Sequence, residues 1–535
     1  MTSAAAPHPC RPGRIPHYEV VVVGAGFGGI GMGVALKKAD IGDFVILEKA
    51  SELGGVWRDN TYPDCNCDVP FHAYAFSFAP YHNRHIRYPG QRDILAYLHT
   101  VAADHDLLAH LRCDSELSEA TYLDTTGHWW LTITHGHHLT TRTLICALGQ
   151  LHRPHIPTIP GQDEFTGPAF HTARWNHHHD LHGRGVAIIG TGASGTQLLP
   201  AIAAVAKNVR VFQRTPPWVL PKPRLRFGPL TRTALRIPGA HRLYRHTLNY
   251  TADTVLAPIM RRGWSARPAE WAARHFLHQQ IRDPALPAKL TPDYPLGGKR
   301  ILFDSTYYQA LTRPNVELIT TPISRITPTG IRTDDHRHHH ADAIVYATGF
   351  QATEFLAPVT VRGQRATILH HQWRSGPSAL LGIALPGYPN LFLLAGPNTF
   401  TPAGSNPAMK EHEIEFIIRC LQWRQRIGAY AIAVDPTAMQ AYQQQLDQAL
   451  ARTVWSSTHS WYRHPNGRTT NPWPNSVRAY ARALNRSPAH WFQPITCQGA
   501  LRALGGSVVK TPAVEGGWHT TGAKSTLAVH NRCAQ

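Results

Sequence analysis

YEVVVVGAGFGG, Tyr18 to Gly29, is an apolar run that breaks at a glycine and continues into a helix-like stretch, MGVALKKA. Gly24, Gly26 and Gly29 follow G-x-G-x-x-G, with Phe27 and Gly28 between them, and the context is strand, turn, helix. Each motif glycine has its own task. The first permits a tight bend, the second lets backbone approach a pyrophosphate, and the third lets helix and strand pack closely. Phosphates then rest on free N–H groups at the helix N-terminus, where the macrodipole favours anions. A lone match is weak, but the next apolar strand, FVILE, ends in Glu48, 24 positions past Gly24. A carboxylate there accepts hydrogen bonds from a ribose. FAD and NAD both suit such a site.

The same grammar recurs in VAIIGTGASGTQ, Val186 to Gln197. Gly190, Gly192 and Gly195 hold the motif positions, and Thr191, Ala193, Ser194 and Gln197 complete the turn. The following strand, VRVFQRT, ends in Arg214 and Thr215 where the first unit has its glutamate. Arginine there suits a 2′-phosphate, so this site is expected to prefer NADPH. Each unit is followed by a strand-rich region and a second glycine-bearing strand end, TLICALG (Gly149) and AIVYATGF (Gly349). The plan is duplicated although the letters are not. Two dinucleotide sites in one chain imply electron transfer between two cofactors.

The 535 residues, 43% hydrophobic and 16% charged, are enough for several domains and a large core. No apolar run approaches the roughly 20 residues of a membrane helix. The opening MTSAAAPHPCRPGRIP has no apolar core of a secretory signal, so a cytoplasmic place and no membrane partner are expected. The net charge of +19 is spread without a long basic run, which argues against nucleic acid. Eight scattered cysteines fit no zinc spacing, and Cys65 and Cys67 flank one residue rather than the two of a redox dithiol. Among 35 histidines, the runs His177–His179 and His338–His340 read as decoration of polar loops; no metal is expected.

Two longer patterns narrow the reading. In FTGPAFHTARWN, Phe165, Gly167, His171 and Trp175 reproduce F-x-G-x-x-x-H-x-x-x-W. In GGVWRDNTYPDCNCD, Gly54, Gly55, Trp57, Tyr62, Pro63 and Asp68 fit [A/G]-G-x-W-x(4)-[F/Y]-P-[G/M]-x(3)-D. GKRILFDSTYY, YATGF, LAGPNT and SWY add weaker matches. Across roughly Tyr18 to Trp473 the chain resembles the type I Baeyer-Villiger monooxygenases, flavoproteins that use FAD and NADPH. It departs from their pattern at Asn176, Asp64 and Leu148, none of which carries an assigned chemical role.

The resemblance implies an α/β protein of two Rossmann-like domains. FAD is expected on 18–155 and 345–499, NADP on 156–221 and 299–344, with a mainly helical insertion, 222–298, near the substrate cleft and flexible ends at 1–17 and 500–535. It implies that NADPH reduces FAD, that a C4a-peroxyflavin forms with dioxygen, and that a small ketone becomes an ester or lactone. Arg300 would pair with the developing anion and Asp68 would orient it. Gly55, Val56, Trp57 and Tyr74 would contact FAD; Lys299, Arg214 and Thr215 the 2′-phosphate; Trp461 the nicotinamide ribose. His171 would sit at a hinge, since no nucleophile is present for it to activate. By spacing alone, Arg300 reads equally as a surface arginine after the turn PLGG. A heteroatom N- or S-oxygenase and a non-oxygenating flavin reductase remain as alternatives.

Overall fold

In the computed structural model, which describes residues 15–83, 85–223 and 226–496, the valines Val20–Val23 lie at the centre of an eight-stranded sheet. An unbroken apolar run suits a strand covered on both faces, and all four are buried. The strand His17–Val23 pairs in parallel with Phe44–Leu47 on one side and His138–Cys146 on the other. His138–Cys146 then forks. Its first half pairs antiparallel with His128–Ile133, and its second half pairs in parallel with Leu391–Leu393. The antiparallel arm runs on through Leu117–Leu123 to Thr360–Arg362. One sheet therefore draws strands from distant parts of the chain.

A second sheet has five parallel strands in the order Val316–Ile319, Asn208–Phe212, Gly185–Ile189, Ala343–Tyr346, Ala169–His171. The division expected between residues 344 and 345 falls inside Ala343–Tyr346. That strand pairs with Val186–Ile189 along its whole length and is buried throughout, so it belongs to one sheet only. Beside it lies an antiparallel meander, Ile323–Thr327, Gly330–Thr333 and His338–His340. The run His338–His340, expected in a polar loop, is an outer strand. Its three identical letters hide the two-residue period of a strand: His339 points inward, 3.1 Å from the Thr333 hydroxyl and edge-on to Phe212, while its neighbours face out.

Between Asn208–Phe212 and Val316–Ile319, two strands of the second sheet, the insertion is helical: Pro229–Ala234, Ala240–Thr251, a π-turn Ala252–Leu256, Ala266–Gln280 and Leu286–Leu290. Its two ends are tied together where Val219–Leu220 pairs in parallel with Leu302–Phe303. Among the described residues no helix is long and apolar enough to cross a membrane. The ends expected to be flexible, 1–17 and 500–535, lie outside the described residues except for 15–17, and there the expectation fails at His17, which opens the strand His17–Val23 and pairs with Thr140.

Candidate functional site

The two glycine turns are built alike. A Cβ on Gly24 would sit 2.6 Å from the Ala147 carbonyl oxygen, and one on Gly190 would sit 2.5 Å from that of Ala347; both glycines have left-handed φ, +104° and +108°. A Cβ on Gly29 or Gly195 would meet the carbonyl of the first glycine at 1.8 or 2.3 Å. These four are demanded by the fold. The middle glycines are not: the nearest atom to a Cβ on Gly26 is 3.6 Å away, and nothing lies within 4 Å of one on Gly192. What a side chain there would obstruct is the space before the helix N-terminus. That is the space a pyrophosphate needs, so both turns fit a dinucleotide.

A cavity of about 400 Å³ starts at the first turn and reaches the second. Gly24, Gly26, Phe27, Gly28, Glu48, Gly55, Val56, Trp57, Asp68 and Tyr74 line it from the first unit, and Arg300 and Trp461 line it as well. Ala193, Ser194 and Gln197 of the second turn open onto the same space, whereas Thr191, Gly192, Arg214, Thr215 and Lys299 stand outside it. Glu48 is buried and accepts from the Ala25 N–H at 2.8 Å, from the Ala50 N–H at 3.1 Å and from Arg58 at 3.0 Å. Trp57 Nε1 donates to the Tyr74 hydroxyl at 3.1 Å, and burial holds that hydroxyl protonated. Trp461 stands edge-on to Phe400 and against Tyr462. The rest of the wall is largely apolar, with Leu148, Phe350 and Leu394 among its members.

Arg300 grips Asp68 with a fork: Nε donates to Oδ2 at 3.1 Å and Nη2 to Oδ1 at 2.6 Å. Burial alone would raise the Asp68 carboxyl and lower the guanidinium. Mutual attraction overturns both, so Asp68 lies below the usual carboxylate range and Arg300 above its ordinary value. Arg300 is therefore no solvated surface arginine. It also lies over the Phe400 ring, 5.7 Å from its centre.

Two further residues bind the same segment, one of them unforeseen. Gln197 donates to the Asn66 carbonyl at 2.9 Å and accepts from the Tyr62 hydroxyl at 2.9 Å. Lys222 donates to Asn66 Oδ1 and to the Cys67 carbonyl, the latter at 3.0 Å, and its charge also lowers the Asp68 carboxyl. Gln197, Lys222 and Arg300 thus bring the second unit and the ends of the insertion onto Tyr62–Asp68. No motif marks Lys222. Its only sequence signal is that it follows a short apolar strand, Val219–Leu220, whose partner strand begins just after Arg300.

Arg214 is exposed at its strand end, and Thr191 Oγ1 donates to the Thr215 carbonyl at 3.3 Å, tying turn to strand. Lys299 lies over the Tyr294 ring; burial and then the Arg214 charge push its pKa down, with Asp293 opposing. Two cations that disfavour each other leave a place for an anion.

The segment FTGPAFHTARWN joins the units. A Cβ on Gly167 would lie 2.4 Å from the Asp342 carbonyl and 2.9 Å from the Phe165 ring, so the glycine lets that ring seat itself. His171 ends the edge strand of the second sheet, stands edge-on to Phe350, and accepts the Ala173 N–H on Nδ1 at 3.1 Å. Burial pushes it down to about 4, so it is neutral near pH 7. Trp175 packs edge-on to Phe170; Arg174 reaches Asp59 at 3.7 Å, and His177 meets Thr61 at 2.8 Å. Cys65 and Cys67 are buried free thiols, pushed up by burial to about 11 and about 12. Neither has the thiolate character of a redox dithiol. Among the described residues no cluster suits a metal ion.

The family described as pyridine nucleotide-disulphide oxidoreductase matches residues 21–238. A Baeyer-Villiger monooxygenase of Streptomyces coelicolor is 38% identical over 474 residues, 88% of this chain and 91% of that one. One of Pseudomonas aeruginosa is 34% identical over 495 residues, 90% and 92% of the two chains. Among solved structures, cyclohexanone monooxygenase from Rhodococcus sp. Phi1 bound to NADP+ superposes with a TM-score of 0.81 at 26% identity, over 90% of this chain and all of that one. Likeness of this degree, carried over nearly the full length of both partners, is more than a shared fold: the chain belongs to the Baeyer-Villiger monooxygenase family.

Proposed function

We propose that the chain is an FAD- and NADPH-dependent monooxygenase that inserts one atom of dioxygen beside a ketone carbonyl, giving an ester or lactone. One observation carries the reading: a single cavity is lined by both glycine turns and by the Arg300–Asp68 pair. Gly24, Gly26, Gly28 and Glu48 hold FAD by its pyrophosphate and ribose, and Gly55, Val56, Trp57 and Tyr74 continue its wall. Gly190 to Gly195 and Gln197 hold NADPH, with Arg214, Thr215 and Lys299 on its 2′-phosphate and Trp461 at the nicotinamide end. The FAD part takes the eight-stranded sheet and the NADP part the five-stranded one.

Bound flavin supplies hydride acceptance from NADPH and activation of dioxygen. The chain supplies everything around it. Arg300, charged at any working pH, stabilises the negative oxygen that develops on the substrate, and Asp68 fixes the plane of its guanidinium. Leu148, Phe350 and Phe400 keep water away, which strengthens that charge contact. His171, neutral and seated between strand end and Phe350, positions the joint between the two sheets and moves no proton.

Heteroatom oxygenation is the competing chemistry. A panel of ketones and thioethers, given to the FAD-loaded protein with NADPH and followed by oxygen uptake and product mass, separates the two. Esters from ketones support the reading; sulfoxides without esters, or NADPH consumption with no oxygenated product, overturn it.

A further inference from the structure

From Gly228 to Ala252 the sequence has four arginines, Arg232, Arg236, Arg242 and Arg245, and no aspartate or glutamate. The same stretch holds Leu230, the most exposed large hydrophobic among the described residues at 88%, together with Ile237 at 62% and Leu243 at 68%. It folds as a helix, a tight turn and a second helix, Pro229–Ala234 and Ala240–Thr251. The second helix is two-faced. Its inner face is bolted down: His241 stacks on His72, Tyr244 stands edge-on to it, and Arg245 donates to the His72 carbonyl at 3.1 Å and to Glu411 at 3.0 Å. Its outer face, Arg242, Leu243, His246, Thr247 and Tyr250, is exposed.

Arg245 is paired with Glu411, but Arg232, Arg236 and Arg242 have no carboxylate partner among the described residues, and a monomer gains nothing by holding bulky aliphatic side chains in water beside them. That pairing of groups is what an interfacial helix presents to lipid: apolar side chains enter the acyl boundary while cations meet anionic headgroups. The pattern continues along the chain, where exposed Trp264 and Trp271 flank exposed Arg267, and tryptophan favours the headgroup level. A second copy of the chain fits poorly, because a two-fold contact through this face would set the same arginines against each other. Nucleic acid accounts for the arginines but not for Leu230, Ile237 and Leu243.

We propose that the outer face of residues 228–252 docks on an anionic lipid surface. This revises the expectation of no membrane partner, which rested on the lack of a spanning run and does not bear on a helix lying in the interface. The inner face of the docked helix holds Phe71–Tyr74, the segment that leads away from Asp68, so lipid contact lies one layer of side chains from the cavity wall.

Co-sedimentation of the FAD-loaded protein with vesicles tests this without any assay of oxygenation. The protein is expected to pellet with vesicles of phosphatidylcholine mixed with phosphatidylglycerol, to stay in solution with phosphatidylcholine alone, and to be released by high salt. Two double variants, Leu230→Ser with Leu243→Ser and Arg236→Glu with Arg242→Glu, should each lower the partition by roughly tenfold or more while keeping the flavin spectrum. No pelleting, or equal pelleting of the variants, overturns the proposal. So does self-association that the leucine variant abolishes, which gives the face to a second copy, or RNA binding that the leucine variant keeps, which makes it a plain polyanion site.

Discussion

Asp68 is a carboxylate set in a cavity wall with two cations, and the second of them, Lys222, is the residue that sequence reasoning did not reach. Its ammonium spans the Asn66 side chain and the Cys67 carbonyl, and its backbone exchanges hydrogen bonds with Ser305, both at 2.9 Å. The loop carrying Asp68 is thereby fixed to the strand that follows Arg300. Removing the charge lets that loop slip, and a shift of about 1 Å at a reacting centre can cost up to about a hundredfold. Lys222→Met is expected to keep FAD and to be reduced by NADPH at near the parent rate, while ester formed per NADPH falls roughly tenfold and hydrogen peroxide makes up the difference. Lys222→Arg should restore most of the yield. Full coupling in the methionine variant would remove Lys222 from this role. Glu48 and Asp68 were readable because each stands at a fixed offset from a glycine or tryptophan of a motif, whereas Arg300 was readable only through the resemblance of GKRILFDSTYY, since its spacing alone suits a surface arginine equally well. Lys222 was not, because its place depends on one short parallel pairing between strands some eighty positions apart.

At the scale of elements, each strand–turn–helix unit separates glycines needed by the fold from glycines needed by a ligand. Gly29→Ala puts a Cβ within 1.8 Å of the Gly24 carbonyl and is expected to unfold or strongly destabilise the first unit. Gly26→Ala meets nothing closer than 3.6 Å and has ordinary extended φ, so its melting temperature without cofactor should match the parent while FAD retention is lost. Colourless but stable Gly26→Ala, beside unstable Gly29→Ala, is the expected pair; a Gly26→Ala variant that stays yellow would place the pyrophosphate elsewhere. Both units were legible as strand, turn and helix because apolar runs and motif glycines report on local backbone. The strand Ala343–Tyr346 was legible as a strand but was divided between domains, since a run of four apolar residues says nothing of which sheet receives it. His338–His340 hid its alternation in identical letters.

At the scale of the whole molecule, buried histidines that the fold keeps neutral sit where its parts join: His171 at the end of the second sheet's edge strand beside Phe350, and His72 against His241 and Tyr244 of the insertion. Burial pushes His171 and His72 from 6.5 down to about 4. For both, the folded value lies below the unfolded one, so their contribution is complete above pH 6.5 and is lost as pH falls from 6.5 towards 4. Each accounts for roughly 1–3 kcal/mol across that window. The melting temperature is expected to be level above neutrality and to drop steadily as pH falls from 6.5 towards 4; a level profile down to about pH 4 would show that neither ring is buried neutral. The two-unit α/β plan was foreseeable from the order of motifs along the chain, whereas the amphipathic surface of the insertion emerged only once its inner face was known. In the proposed function Arg300 serves oxygen insertion rather than cofactor binding. The direct measurement compares Arg300→Ala with the parent twice, once for anaerobic flavin reduction by NADPH and once for ester formed in air. Reduction near the parent rate with ester formation down by about a hundredfold or more is the predicted result. Ester formed at the parent rate, or flavin reduction lost along with ester formation, would contradict that role of Arg300.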